Sequence, residues 1–243
     1  MWIVLPAFNE AENLPALLEG IAAAGSPTSD YTVLVVNDGS EDATAAVATG
    51  YIGRLPLDLI SHTRNQGLAR TIETGIRTAL RRAGTDDVIV TMDADNTHSP
   101  ALIPRMLRQI EEGADLVIAS RYAPGGKEEG VPAMRRVLSR GVGILMNLRF
   151  GLRGVRDYSC GYRAYRVRLL RMALDRYADR LIEAQGFTVM AELLVKLSPF
   201  SPRVVEIPLH LRYDLKRGKS KIRVLRTVAG YVQLMCTKRS GAT

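Results

Sequence analysis

The sequence predicts an α/β protein built on a mostly parallel sheet with helices on both faces. Short apolar runs recur through the first half, at Trp2–Leu5, Tyr31–Val36, Leu57–Ile60, Val88–Met92 and Leu116–Ala119. Each run but the last is followed by residues with helical apolar spacing. Strands alternating with helices give parallel sheets, because a parallel crossover needs a covering helix.

The elements follow in order. Asn9 is placed to cap the first helix, with Glu12 three residues on in the manner of a capping box, and Leu14, Leu17, Leu18 and Ile21 form its apolar face. The third helix reads similarly from Leu68, Ile72, Ile76 and Leu80. After Arg121-Tyr122 the texture changes to a Gly/Pro/charge-rich loop, Ala123–Pro132, and then to a basic amphipathic segment, Met134–Phe150. No repeat or low-complexity tract interrupts the chain. The expected organisation is one domain over 1–243, with a nucleotide half over 1–121 and an acceptor half over 122–243 that packs on it and carries amphipathic helices.

A formal net charge of +8 and a pI of about 9.7 point to an anionic partner: a nucleotide, a phosphorylated lipid, an acidic membrane face or a nucleic acid. Nucleic acid is set aside, because the arginines cluster with carboxylates and no aromatic-interleaved basic surface is present. Two distant cysteines, Cys160 and Cys236, suggest neither a disulfide framework nor a zinc site, and a reducing compartment is expected. No leader is expected at the N-terminus. The apolar-rich stretch Thr227–Thr237 is about half of the ~20 residues a membrane span needs, so contact with a membrane would be lateral.

The chemistry gathers at strand ends. The run ending at Met92 delivers Asp93 and Asp95 to its C-terminal end, where open α/β sheets bind ligands. Two such carboxylates make a hard-oxygen seat for Mg²⁺ or Mn²⁺ shared with a diphosphate. The turns Pro6-Ala7-Phe8-Asn9-Glu10 and Asn37-Asp38-Gly39-Ser40 place groups that can read a base and ribose, although the same residues are ordinary turn formers. His98 reads as structural at a helix start, with Pro100 at its first turn. Arg121, Arg135, Arg136, Ser139 and Arg140 supply a second anion site separate from the metal. The other side of that helix carries Met134, Val137, Leu138, Val142, Leu145 and Leu148, which suits either core packing or a membrane interface. Near the end, Arg212 to Lys221 sets five cations around Gly218, a cationic loop able to fold over a diphosphate.

Taken in order, Leu5-Pro6-Ala7-Phe8-Asn9-Glu10, Val36-Asn37-Asp38-Gly39-Ser40, Asn65-Gln66-Gly67, Asp93-Ala94-Asp95, Ser120-Arg121-Tyr122, Asp157 to Arg163 and Gly218-Lys219-Ser220-Lys221 resemble the inverting family 2 glycosyltransferases of GT-A fold, in their polyprenol-phosphate (dolichol-phosphate) mannosyltransferase branch. The resemblance runs from residue 2 to about 222. It implies that Pro6, Phe8, Glu10, Val36 and Asp38 line the nucleotide, that Asp93, Ala94 and Asp95 seat the metal and diphosphate, and that Lys221 reaches the phosphates. It further implies that Arg121, Arg135 and Ser139 hold an acceptor phosphate, with Asp95 and Arg121 the groups on which catalysis depends. Glu192 matches a recurring glutamate of open role. Two residues depart from the pattern: Thr97 replaces a glutamine that contacts the metal, and Leu215 replaces an arginine whose work would pass to Arg212, Lys216 or Arg217.

The expected activity is therefore inverting transfer of a hexose, mannose from GDP-mannose first, to a polyprenyl monophosphate. UDP-glucose is the alternative nucleotide sugar. The expected setting is the cytoplasmic face of a membrane, with a separate anchoring subunit left open, since members of the branch often carry a C-terminal transmembrane segment. The rival is a soluble family 2 enzyme acting on a glycan hydroxyl, which would need a base such as Asp157 or Glu192.

Overall fold

The chain alternates strand and helix through its first half: β1 (Trp2–Ala7), α1 (Leu14–Ala24), β2 (Thr32–Asn37), α2 (Thr44–Tyr51), β3 (Leu57–Ser61), α3 (Leu68–Arg82), β4 (Val88–Thr91), α4 (Ile103–Glu111) and β5 (Leu116–Ser120). The second half adds β6 (Lys127–Glu129), α5 (Ala133–Phe150), β7 (Arg163–Arg166), α6 (Val167–Tyr177), α7 (Val189–Leu197), β8 (Val204–Pro208), β9 (His210–Arg212) and α8 (Val224–Cys236). The structure, a computed structural model, describes residues 1–24, 30–215 and 224–236, without the side chains of residues 135 and 224–226.

The main sheet has the order β3-β2-β1-β4-β7-β5-β8. All its pairings are parallel except those of β7, which runs antiparallel between β4 and β5. The chain steps outward from β1 to β3 through α1 and α2, then returns through α3 to β4 on the other side of β1. Right-handed crossovers therefore put α1 and α2 on one face and α3 on the other. Strands covered on both faces read as continuous apolar runs, and β4 and β5 are buried throughout. The predicted α/β architecture is the one observed. Between β1 and β4 the strand order reverses direction, which opens a crevice at their C-terminal ends.

The expected apolar face of α1 is its buried face: Leu14, Leu17, Leu18 and Ile21 are each at most 1% exposed. Burying such a side chain is worth about 1.5–3 kcal/mol. The expected Asn9 cap does not form. The helix starts at Leu14, and Asn9 adopts a left-handed φ of 52° and turns its side-chain carbonyl to the Glu41 N–H at 2.9 Å. The Glu10 carbonyl instead receives the N–H groups of Asn13 and Leu14 at 3.0 and 2.9 Å. Tertiary pairing between two turns has displaced the local cap.

The Gly/Pro-rich stretch expected as loop contains β6, which pairs in parallel with β9 to form a two-stranded ribbon. The ribbon is short but consequential, since it carries the buried Glu128 side chain toward Arg121. Helix α5 runs unbroken through Gly141 and Gly143, and α8 packs against it, with Arg149 Nε donating to the Met235 carbonyl at 3.1 Å.

Candidate active site

A cleft of about 1500 Å³ opens at the C-terminal ends of the central strands. One wall holds Pro6, Phe8, Glu10 and Asp38, the floor holds Asp93, Ala94, Asp95 and Thr97, and the far wall holds Arg121 and Ser139. The structure thus brings together most of the residues singled out in the sequence. Val36 is the departure: it is fully buried in β2 beneath Gly75 of α3, because its strand position points into the helix layer, and Asp38 lines the cleft from that strand end instead.

The two strand-end turns lock each other. Ser40 Oγ accepts the Asn9 N–H at 2.9 Å and Thr44 Oγ1 accepts the Glu10 N–H at 2.8 Å. Between them Gly39 sits at a φ of 66°, and a Cβ there would lie 2.4 Å from the Arg64 carbonyl carbon, so the turn requires glycine. Asp38 is held from three sides: the Gln66 and Gly67 N–H groups donate to it at 2.9 and 2.8 Å, and His62 Nδ1 lies 2.7 Å from its Oδ1. The Asn65-Gln66-Gly67 turn therefore serves to aim a carboxylate at the cleft.

The Asp93–His98 loop is clamped at each step. Asp95 Oδ1 accepts both the N–H and the hydroxyl of Thr97, at 3.2 and 2.6 Å. Asn96 takes a φ of 62°, tolerable for asparagine, and donates through Nδ2 to the Asn13 carbonyl at 2.7 Å. His98 was set aside in the sequence as a helix-start residue, but its Nδ1 accepts the Asp93 N–H at 3.2 Å, which leaves the ring proton on Nε2. The ring stacks on Tyr162 with centroids 5.2 Å apart, and the Tyr162 hydroxyl donates to the Ser99 carbonyl at 3.0 Å.

This loop fits a hard divalent cation. Asp93 and Asp95 offer carboxylates from one turn, and the Thr97 oxygen keeps a lone pair after donating its proton to Asp95. Among the described residues no group of three His, Cys, Asp or Glu is placed to hold a metal ion by itself. Such a sparse protein shell suits Mg²⁺ or Mn²⁺, which share their coordination with water and phosphate oxygens.

The far wall is one hydrogen-bonded network. Arg121 donates from Nε and Nη2 to the two oxygens of Asp157 at 2.8 and 2.7 Å, from Nη2 to Ser159 Oγ at 2.6 Å, and from Nη1 to Glu128 Oε1 at 3.3 Å. The Tyr122 hydroxyl donates to Ser139 Oγ at 3.0 Å. Burial alone would raise the Asp157 carboxyl, but the Arg121 guanidinium outweighs it and holds the group below the usual carboxylate range. Neighbouring Cys160 is pushed up to about 12, by burial first and the Asp157 charge second, so it stays a thiol. Arg135 lies on α5 with its side chain outside the described residues, and the loop that carries Lys216, Arg217 and Lys221 lies outside them altogether. Arg212, one heir to the missing arginine at Leu215, is engaged by Asp214 at 2.7 Å and Glu129 at 3.2 Å.

Neither carboxylate proposed as a base for a sugar hydroxyl is placed for that work. Asp157 is fully buried behind Arg121. Glu192 is also buried, and it accepts the N–H groups of Glu183 and Ala184 at 3.0 and 2.9 Å and pairs with Lys196 at 2.9 Å. Its role is to hold the segment before Gln185-Gly186-Phe187, which forms part of the cleft rim. Sequence reasoning also passed over Tyr231 of α8, which lines the cleft; its only signal was a hydroxylated aromatic inside an otherwise apolar stretch.

A mostly parallel sheet with helices on both faces and a cleft at the strand ends is the architecture of the GT-A glycosyltransferases. The pattern of Glycosyl transferase family 2 matches residues 2–173, and the chain belongs to that family and is a glycosyltransferase. It is 36% identical over 220 residues to an undecaprenyl-phosphate mannosyltransferase of Micrococcus luteus, covering 90% of this chain and 86% of that protein. It is 33% identical over 209 residues to a polyprenol monophosphomannose synthase of Mycolicibacterium smegmatis, covering 85% and 75%. A dolichol-phosphate mannosyltransferase of Pyrococcus furiosus is 32% identical over 224 residues, covering 91% of this chain and 58% of that protein. Among solved structures, glucosyl-3-phosphoglycerate synthase from Mycobacterium tuberculosis, in complex with Mn²⁺, UDP and glucosyl-3-phosphoglycerate, superposes with a TM-score of 0.67 at 19% identity, covering 97% of this chain and 79% of that one. At that identity the likeness establishes the fold alone.

Proposed function

We propose that this glycosyltransferase moves mannose from GDP-mannose to a polyprenyl monophosphate, with inversion, at the surface of a membrane. The observation that carries the reading is the arginine and hydroxyl network of Arg121, Ser139, Tyr122 and Ser159 across the cleft from Asp93 and Asp95, where the wall's carboxylates among the described residues, Asp157 and Glu128, are both paired with Arg121. The names of the relatives, all transferases of mannose to a lipid phosphate or synthases of the product, agree with it.

A phosphate monoester has a second pKa of about 6, so its oxygen is already a nucleophile at neutral pH. An oxygen of the acceptor phosphate attacks the anomeric carbon, the bond from that carbon to the nucleotide diphosphate breaks, and the diphosphate leaves with the electron pair. Catalysis is then positioning and charge stabilisation. Arg121 and Ser139, with Arg135 on the same helix, aim the acceptor; Pro6, Phe8, Glu10 and Asp38 seat the nucleotide. Asp93 and Asp95, with Thr97 beside them, would hold Mg²⁺ or Mn²⁺, which supplies positive charge to the leaving diphosphate. Lys221 serves the same phosphates from the cationic loop.

Helix α5 supports the membrane setting. Met134, Val137 and Leu148 are 72, 66 and 80% exposed, and Ile144 and Leu145 share their face. Leu138 and Val142 turn inward to the cleft. Among the described residues no helix is long and apolar enough to cross a membrane. The exposed stripe suits a helix lying in an interface plane on the cytoplasmic side, with an anchoring subunit as an optional partner.

The test is direct. Purified protein with Mn²⁺, radiolabelled GDP-mannose or UDP-glucose, and polyprenyl phosphate should yield label that extracts into organic solvent, with GDP-mannose preferred. Label transferred only to a free glycan would overturn the acceptor, and a preference for UDP-glucose would overturn the nucleotide sugar.

A further inference from the structure

Helix α8 brings a buried hydroxyl to the acceptor wall. Tyr231 is 3% exposed, it is among the residues that line the cleft, and its buried hydroxyl has no hydrogen-bond partner among the described residues. A buried polar group left unpaired costs free energy, so one on a cleft-lining residue is a candidate for completion by a bound ligand once the side chain adjusts to meet it. The phenol lies within electrostatic reach of both Asp157 and Arg121. Burial first, and the Asp157 charge second, push its ionisation up, so it stays an O–H donor.

The rest of the wall makes this hydroxyl distinctive. Arg121 donates to Asp157, Ser159 and Glu128, and Tyr122 donates to Ser139, so these donors are engaged with one another. A phosphate dianion that shares Arg121 and Ser139 with these protein partners gains from a further donor that has none. The position of Tyr231 is built in: Gly230 packs so closely on Thr188 that a Cβ would lie 2.5 Å from the Thr188 hydroxyl. That contact seats α8 against the turn before α7.

We infer that the Tyr231 hydroxyl donates a hydrogen bond to the phosphate monoester of the acceptor, making α8 a third element of the acceptor site beside Arg121 and Ser139. This rests on the acceptor reading proposed above. It assigns to the helix read in the sequence only as an apolar stretch a specific contact with the reacting group.

The experiment compares the full chain with Tyr231→Phe, measuring KM for polyprenyl phosphate and for the nucleotide sugar, kcat, and the melting temperature without substrates. The expected result is an acceptor KM raised about tenfold, the size of a lost hydrogen bond to a charged group. The nucleotide-sugar KM and kcat should stay within about twofold. The substrate-free melting temperature should hold or rise, since Phe removes an unpaired buried hydroxyl. An unchanged acceptor KM, or a lowered melting temperature with both KM values raised together, would overturn the assignment. Wild-type protein that labels no polyprenyl phosphate at all would instead sink the acceptor reading, and the Tyr231 contact with it.

Discussion

The buried carboxylate of Asp157 grips the Arg121 guanidinium through both oxygens, 2.8 Å from Nε and 2.7 Å from Nη2. Such a fork fixes the plane of the guanidinium as well as its position. Asp157 also accepts the Ser159 and Cys160 N–H groups, at 3.2 and 3.0 Å, so the whole Asp157–Cys160 turn is organised around this one carboxylate.

Asp157→Asn should therefore destabilise the fold strongly, by about 3–5 kcal/mol, because it strands a buried guanidinium. The native carboxyl lies below its ordinary 3.8. Its contribution is fully present above about pH 4 and fades as pH falls through the lower native value. Melting temperatures of wild type and variant should converge below about pH 4; a gap that stays constant from neutral to strongly acid pH would show that the ion pair is not its source.

His98→Phe keeps a ring to stack on Tyr162 but removes the acceptor for the Asp93 N–H. The expected outcome is a loss of about tenfold in Mn²⁺-dependent nucleotide affinity by calorimetry, comparable to losing one hydrogen bond that orients a ligand, with little change in melting temperature. Unaltered affinity would mean that Thr97 and Asn96 hold the loop without it.

Variants on opposite walls should separate the two substrates. Asp95→Ala is expected to abolish turnover and metal-dependent nucleotide binding, whereas Arg135→Ala should raise the KM for the lipid phosphate and leave nucleotide affinity nearly unchanged. Equal damage to nucleotide binding from both would show that the second anion site is misplaced.

The exposed stripe of α5 predicts a membrane phenotype. Replacing Val137 and Leu148 together by Glu should abolish co-sedimentation with vesicles of mixed phosphatidylcholine and phosphatidylglycerol, while transfer to a short, water-soluble prenyl phosphate persists. Co-sedimentation that survives the double substitution would assign membrane contact to another surface.

The sheet and most of the cleft were legible because their signals are local. Leu14, Leu17, Leu18 and Ile21 carry a helix period, β4 is a buried apolar run, and strand ends in such a fold point to the ligand crevice. The Asn9 cap failed because the competing partner, the Glu41 N–H, comes from a different turn. Val36 was assigned to the nucleotide by pattern, and the pleat of β2 directs it into the core instead. Asp157 and Glu192 read as candidate bases because sequence reports a carboxylate without its partners; Arg121 and Lys196 decide what each can do.

By itself the sequence determined the α/β architecture, the carboxylate pair at the end of β4 and the arginines at the change of texture, since residue type and period are properties of neighbours along the chain. The tertiary structure alone decided that β7 enters antiparallel between β4 and β5, that His98 braces Asp93, and that Tyr231 lines the cleft. Those outcomes depend on hydrogen bonds and packing between separate elements and turns, which no local pattern records, since burial and pairing are settled only when the elements meet.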